Sequence, residues 1–298
     1  MLKPSLPAPG AELRALMEKD AVLLPGVFNA ISARAAMAAG AKALYISGAG
    51  VTNAELGVPD QGLLTLTELA RTAANIAQIA SLPILCDADT GFGDTMNVAR
   101  TVLEMERAGV AGIHLEDQSS PKRCGHLDGK ELITPEAMAA KVTAAVESKR
   151  DPSFLVVART DAFSVEGLDA AISRAKRYVD AGADAVFPEG LPSEREFEAF
   201  RNSLSVPLLA NMTEFGKTDI IPFERFKLLG YNLVIFPMTA FRVMLKAISD
   251  TYDELLATGT QAGMLKNMRT RAELYELIEY DSYTKRDLRW ADAAMKKI

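Results

Sequence analysis

Short apolar runs recur along the chain with longer amphipathic stretches between them: Ala21 to Leu24, Ala43 to Ile46, Pro83 to Cys86, Ala111 to Leu115, Phe154 to Ala158, Ala185 to Phe187, Pro207 to Ala210 and Leu233 to Phe236. Apolar runs this short, bounded by turn residues, read as buried strands, and the stretches between them read as helices. The punctuation agrees. Gly40, Gly109, Gly182 and Gly230 each follow a helical segment and precede a strand, the place of a helix-terminating residue. Pro83 and Pro207 stand at strand starts, where a missing amide does no harm. Thr65 and Glu68 are spaced as a capping box, and Thr134-Pro135-Glu136 sets a cap, a first-turn proline and a first-turn acid in order.

Strands that alternate with helices in this way predict an α/β fold, a closed parallel (β/α)8 TIM-type barrel. The rival, a doubly wound open sheet with a dinucleotide site, calls for a glycine-rich G-x-G-x-x-G turn after the first strand, and none is present. After the eighth run the chain continues from Phe241 to Ile298, more than the single helix that closes a barrel. Its mixed apolar and charged pattern points to subunit packing. No low-complexity linker divides the chain, so residues 1–298 read as one domain with a C-terminal helical extension over about 241–298.

The 298 residues are 49% hydrophobic and 24% charged, with a formal net charge of -6. The acidic balance argues against a nucleic-acid binder. Two cysteines do not make a disulfide framework, and the first twenty residues carry no signal-peptide core or membrane span, so a cytoplasmic protein with no membrane partner is expected.

In a barrel of this kind the chemistry sits at the C-terminal strand ends, and the residues after each run are polar: Ser47-Gly48-Ala49-Gly50, Asp87-Ala88-Asp89, Glu116-Asp117, Arg159-Thr160-Asp161, Glu189, Asn211-Met212-Thr213-Glu214, and Arg242 beyond Phe236. Asp87 and Asp89, two apart on extended backbone, face one side, with Glu116 on the next strand and Asp60 in a nearby loop. Such hard oxygens suit Mg2+, although an isolated D-x-D serves as readily to cap a helix. No lysine stands at a strand end, which argues against Schiff-base chemistry. Arg159 and Arg242, with Asn211 and Thr213, would hold a polycarboxylate, or each arginine would serve a structural ion pair. His114, inside an apolar run, reads as a core histidine, and Cys86 as core packing.

The stretch from Asp117 to Thr134 is long and lacks apolar periodicity, which predicts a lid. Within it lies Lys122-Arg123-Cys124-Gly125-His126, where neighbouring cations would lower the thiol's pKa and equip Cys124 as an acid or base; the alternative is an exposed basic loop with an incidental cysteine.

This pentapeptide resembles the K-[KR]-C-G-H signature of the isocitrate lyase and phosphoenolpyruvate mutase superfamily, and the form with arginine second resembles its 2-methylisocitrate lyase branch. Tyr45-Ile46-Ser47-Gly48, Asp87-Ala88-Asp89-Thr90-Gly91-Phe92-Gly93, Glu116-Asp117-Gln118, Ala158-Arg159-Thr160-Asp161-Ala162, Phe187-Pro188-Glu189 and Asn211-Met212-Thr213-Glu214-Phe215-Gly216 extend the likeness over most of the chain. The resemblance implies a barrel whose last helix is swapped between subunits, in a homotetramer. It implies Mg2+ held at Asp87 and Asp89, directly or through water, with Asp60 and Glu116 in support. Ser47, Gly48 and Ala49 would contact the pyruvate portion of the substrate, and Cys124, Gly125, Arg159, Glu189, Asn211, Met212, Thr213, Arg242 and Arg271 would surround the rest.

The implied reaction is cleavage of 2-methylisocitrate to pyruvate and succinate in propionate catabolism, with Tyr45 as base and Cys124 as the acid that quenches the carbanion. A methyl-binding surface would fall to Phe187, Phe236 and Met238. Ser47-Gly48-Ala49-Gly50 departs from the unbroken glycine run common in the lyases. Relatives on the same scaffold cleave 2,3-dimethylmalate or hydrolyse oxaloacetate. Phosphonate chemistry is disfavoured by the presence of Cys124, and a non-catalytic barrel by the intact carboxylates and lid motif.

Overall fold

The computed structural model describes residues 8–295 apart from Cys124, His126 and Asp128. Its strands are β1 (Val22–Val27), β2 (Leu44–Ile46), β3 (Ile84–Asp87), β4 (Gly112–Glu116), β5 (Leu155–Thr160), β6 (Ala185–Pro188), β7 (Leu209–Asn211) and β8 (Leu233–Phe236). Each coincides with a predicted run or is shifted by one or two residues at its ends, except β1, which runs three residues further at its C-terminal end. The helices in chain order are α1 (Pro9–Lys19), α2 (Ala30–Ala38), α3 (Gly48–Val51), α4 (Leu66–Ala77), α5 (Thr95–Ala108), α6 (Pro135–Glu147), α7 (Phe163–Glu166), α8 (Leu168–Asp180), α9 (Glu194–Ser203), α10 (Phe223–Leu228), α11 (Thr239–Thr258), α12 (Arg271–Leu277) and α13 (Tyr280–Met295). A π-helical turn, Thr52–Leu56, follows α3.

All strand pairs are parallel, in the order β6-β5-β4-β3-β2-β1-β8-β7. One bridge, Val186 to Leu208, brings β6 to β7 and closes the ring. The predicted barrel is therefore what forms. Gly40, Gly109, Gly182 and Gly230 all take positive φ at helix ends, a conformation without steric cost only for glycine. The Thr65–Glu68 capping box is made, and the Thr134 side chain accepts from the Ala137 amide.

Strand parity decides what faces the barrel axis. Tyr45, Leu85, Leu155, Val157, Phe187, Leu209 and Ile235 pack inside, with Leu13 and Met17 of α1 against the same cluster. Their neighbours Ile46, Cys86, Ile113, Val156, Val186 and Ala210 pack outward under the helices. Two residues beyond the inward set, at the C-terminal ends, come Asp87, Arg159, Glu189 and Asn211.

Helix α11 packs through its first two turns, with Phe241 edge-on to Phe28 at 5.4 Å and Met244 against the same core. Val243, Leu245, Ile248, Tyr252, Leu255 and Leu256 are exposed. A groove of ≈ 540 Å3 lies over the outer face of β1 between α2 and α10, lined by apolar side chains including Leu16, Leu23, Pro25, Ala36 and Phe223. No helix among the described residues is long and apolar enough to cross a membrane.

Candidate active site

A cavity of ≈ 300 Å3 opens at the C-terminal end of the barrel. Of the residues singled out in the sequence, Tyr45, Ser47, Ala49, Asp60, Asp87, Gly125, Arg159, Glu189, Asn211, Thr213 and Arg242 line it. Gly48 stands just behind, donating its amide to Asp87 Oδ2 at 3.2 Å. Asp89 and Glu116 are buried beside Asp87.

Three expectations are corrected. Met212 turns outward by strand parity, into the core beneath α9 and α10, where its sulfur accepts from the Ile221 amide at 3.4 Å. Phe236 likewise packs against that outer core rather than lining the cavity, leaving Phe187, Ile235 and Met238 as the apolar wall. Arg271 opens α12 as an exposed residue and does not line the cavity, because α12 leans on α2 through Arg34, which donates to the Leu277 carbonyl at 3.0 Å. Cys124 lies outside the described residues.

The lid covers the mouth. Its base is zipped by an antiparallel bridge between Gln118 and Leu132, and the Gln118 amide clasps both backbone groups of Arg123 at 2.9 Å. Gly125 sits so close to the barrel that a β-carbon there would stand 2.4 Å from Glu189 Cγ and 2.6 Å from Arg159 Nη2. Lys130, at the lid's far side, donates from Nζ to the Gly125 carbonyl at 2.5 Å and to Asp161 at 2.9 Å.

The electrostatics are dominated by buried carboxylates. Burial pushes Asp89 up to about 6 despite Lys122, and burial raises Glu116 well above the ordinary range. Burial also works against Asp87, yet it lies below the ordinary value, held down by His114, Lys122 and Arg159 and by the hydrogen bond from the Asp89 amide. Lys122 Nζ lies 2.5 Å from Asp60 and 2.8 Å from Asp89. Burial alone would lower its pKa, but Asp89, Glu116, Asp60 and Asp87 hold it well above normal. Sequence reasoning took this lysine only as a neighbour of Cys124.

Do these residues fit a divalent cation? Glu116 Oε1 and Asp89 Oδ1 are buried and accept no hydrogen bond, the second facing the Lys122 ammonium without the alignment of one. Buried anionic oxygens left over in this way call for positive charge. No three acidic, histidine or cysteine side chains among the described residues converge tightly enough to grip an ion unaided. The arrangement suits an ion that keeps several waters and takes few protein oxygens.

Arg159 is held by Asp161 through Nε at 2.9 Å and Nη2 at 3.2 Å, and its Nη1 lies 3.3 Å from Glu116 and 3.5 Å from Glu189. Asn211 donates to Glu189 at 3.1 Å. Arg242 Nε is buried without a hydrogen bond, 3.5 Å from Glu214, leaving a donor for an anionic group. Tyr45 Oη and His114 Nε2 lie 2.8 Å apart. Burial lowers His114 to about 4, so the imidazole is neutral, and burial together with the Asp87 charge raises the Tyr45 phenol well above its usual range. His114 is thus a core histidine, as expected, but one that touches the site. Asn53, Leu127, Phe215 and Pro237 also line the cavity. Their loop positions carry no periodic signal that would have selected them.

The sequence profile of the phosphoenolpyruvate phosphomutase family matches residues 13–256. A protein of Aeropyrum pernix named 2-methylisocitrate lyase is 52% identical over 283 residues, 95% of this chain and 91% of that protein. The crystal structure of a 2,3-dimethylmalate lyase superposes with a TM-score of 0.90 at 35% identity, covering 96% of each chain. A phosphonopyruvate hydrolase in complex with oxalate and Mg2+ superposes with a TM-score of 0.86 at 26% identity, over 95% of this chain and 99% of the other.

Proposed function

The chain belongs to the phosphoenolpyruvate phosphomutase family, and from that premise we propose that it is a carbon-carbon lyase that cleaves 2-methylisocitrate to pyruvate and succinate in the methylcitrate cycle, with Mg2+ as its cofactor. The observation that carries the reading is one cavity lined by Asp60, Asp87, Arg159 and Arg242, with buried oxygens of Asp89 and Glu116 that accept no hydrogen bond beside Asp87, and a lid folded across it. A polycarboxylate needs the arginines, and a developing enolate needs a cation.

Asp87 and Asp89 would hold Mg2+, directly or through water, with Asp60 and Glu116 in support. Bound there, the ion supplies Lewis-acid stabilisation of the forming pyruvate oxygen. Arg159 is preorganised by Asp161 to bind a substrate carboxylate, and Ser47, Gly48 and Ala49 frame the pyruvate portion. Tyr45 holds the substrate hydroxyl. At rest its phenol is neutral, its pKa raised first by burial and then by the Asp87 charge, so it serves as a base only in its ionised form. The hydroxyl proton would pass to ionised Tyr45 as the carbon-carbon bond breaks, the bond's electron pair passes to the succinate fragment, and Cys124 on the lid would donate the proton that quenches it, leaving a neutral phenol and a thiolate that are reset by proton exchange with solvent. Lys130 and Gly125 keep that lid closed and water out.

Residues 1–298 act as one domain. The exposed face of α11 and the groove over β1 are both apolar and uncovered in the single chain, which supports a homotetramer built from helix-swapped pairs. A cytoplasmic location follows from the metabolic role.

The test is pyruvate release from racemic 2-methylisocitrate with Mg2+, in parallel with isocitrate and 2,3-dimethylmalate, for wild type and Cys124→Ser. Preference for 2-methylisocitrate and an inactive variant support the assignment. Faster turnover of 2,3-dimethylmalate overturns the substrate, and cleavage of none of the three overturns the chemistry.

A further inference from the structure

The turn that presents Asp89 runs through the left-handed region. Asp89 has φ 47°, Gly91 88°, Phe92 59° and Gly93 146°. For Asp89 and Phe92 this conformation is costly, and such residues persist only where their surroundings over-determine them.

Here the determinants are countable. Four successive carbonyls each face a different donor: Asp89 O the Glu116 amide at 2.9 Å, Thr90 O Lys141 Nζ at 2.9 Å, Gly91 O Thr101 Oγ1 at 3.1 Å, a hydroxyl shared with the Asn97 carbonyl at 2.9 Å, and Phe92 O Asn97 Nδ2 at 2.8 Å. Three of these anchors sit on the β4–α5 side of the turn, in elements directly adjoining it. The fourth, Lys141, reaches in from α6 and is 7% exposed. Burial lowers its pKa, while Asp94 and Glu116 work the other way. An ammonium buried to satisfy one carbonyl is an expensive way to hold a loop, since an uncharged donor or a water would do the same. What the charge adds is a pull on the carbonyl next to Asp89 from behind, across a cleft of ≈ 660 Å3 that Lys141 and Asp89 both line and the reaction cavity does not include.

We propose that Lys141 is a positioning residue for the metal site: by gripping the Thr90 carbonyl it fixes the left-handed turn that aims the Asp89 carboxylate, and so sets divalent-cation affinity without touching the ion. This rests on the reading of Asp87, Asp89 and Glu116 as the cation site. Residues that orient a metal ligand typically change affinity by about 10- to 100-fold when removed.

The experiment is calorimetric titration of the full-length protein with Mn2+ and no substrate, beside thermal unfolding, for wild type, Lys141→Met, Lys141→Arg, Thr101→Val and Lys149→Met. Lys149 pairs with Asp184 at the opposite end of the barrel and serves as the control. The expected result is a Kd for Mn2+ raised at least about 10-fold in Lys141→Met, partly recovered in Lys141→Arg, and unchanged in Lys149→Met. Thr101→Val, which frees the next carbonyl while keeping its shape, shifts Kd in the same direction and decides the matter if Lys141→Met does not fold. A wild-type Kd in both Lys141→Met and Thr101→Val overturns the proposal. Absence of Mn2+ binding by the wild type overturns the metal reading, and the proposal with it.

Discussion

Replacing Gly125 by alanine tests the lid directly. The added β-carbon would stand 2.4 Å from Glu189 Cγ, 2.6 Å from Arg159 Nη2 and 2.8 Å from Glu189 Cδ. Carbon contacts become comfortable near ~3.5 Å, so something must retreat by about 1 Å. The neighbours are poorly placed to yield. Glu189 accepts from Asn211 and from the Gly190 amide, and Arg159 is fixed by two hydrogen bonds to Asp161. The lid backbone yields instead, stretching the Lys130 bond to the Gly125 carbonyl and loosening the closure of the lid over the cavity. A displacement of about 1 Å in a reacting group costs about 100-fold in rate, or about 2.7 kcal/mol of transition-state stabilisation. Gly125 is not among the positive-φ glycines, so alanine meets no backbone penalty and the effect is purely one of contact. The assay is pyruvate release coupled to lactate dehydrogenase, with kcat and KM resolved, beside a thermal melt. The expected outcome is a kcat/KM lowered about 100-fold with a melting temperature within about 3 °C of wild type, because the barrel core is untouched. Wild-type kcat/KM would show that the lid does not close as described; a collapsed melt would show that Gly125 is structural.

Gly48→Ala places a β-carbon 2.8 Å from Asp87 Oδ2, and its Mn2+ affinity should fall by about 10-fold in calorimetry; unchanged binding would remove Asp87 from the cation site. Burial keeps His114 neutral down to about 4, against 6.5 when exposed, so unfolding takes up a proton between those values and the imidazole contributes stability that grows as pH rises. The difference in urea-unfolding free energy between wild type and His114→Gln should therefore increase with pH from 4 to 6.5, by at most about 1.4 kcal/mol per unit. Asp89, held up at about 6, gives an opposite slope in both proteins and largely cancels; a flat difference would mean the imidazole is charged when folded. Leu23→Glu puts a carboxylate into the groove over β1, and light scattering should report a smaller particle with the barrel's circular dichroism intact; an unchanged mass would mean the groove is not an interface.

Much of this was legible because a barrel repeats one rule. A short apolar run is a strand, and once Leu85 or Val157 is known to face inward, Asp87 and Arg159 two residues later must too. The same parity sends Met212 outward, beside its inward neighbour Asn211, and a motif read without that rule misplaced it. Arg271 failed for a different reason: its position depends on how α12 packs, which no periodicity encodes. Lys122, Lys130 and Lys141 were not selected, or not for the roles they hold, because a lysine's long stem lets its ammonium act far from its own backbone. Only folding shows that one lies among carboxylates, one under the lid and one behind the Asp89 turn.

The ring of strands is joined by a continuous ladder everywhere except between β6 and β7, where a single bridge from Val186 to Leu208 carries the backbone. Nearer the mouth, the side chains of Glu189 and Asn211 span that gap. The barrel therefore has a clasp, and the clasp is built from two residues that also line the cavity at its mouth. Substitution there alters the bore of the mouth together with its charge, whereas the same change beside a full ladder would alter charge alone. A lineage adjusting to a bulkier or slimmer acid has its shortest route at this join, and amide hydrogen exchange should find the barrel opening there first.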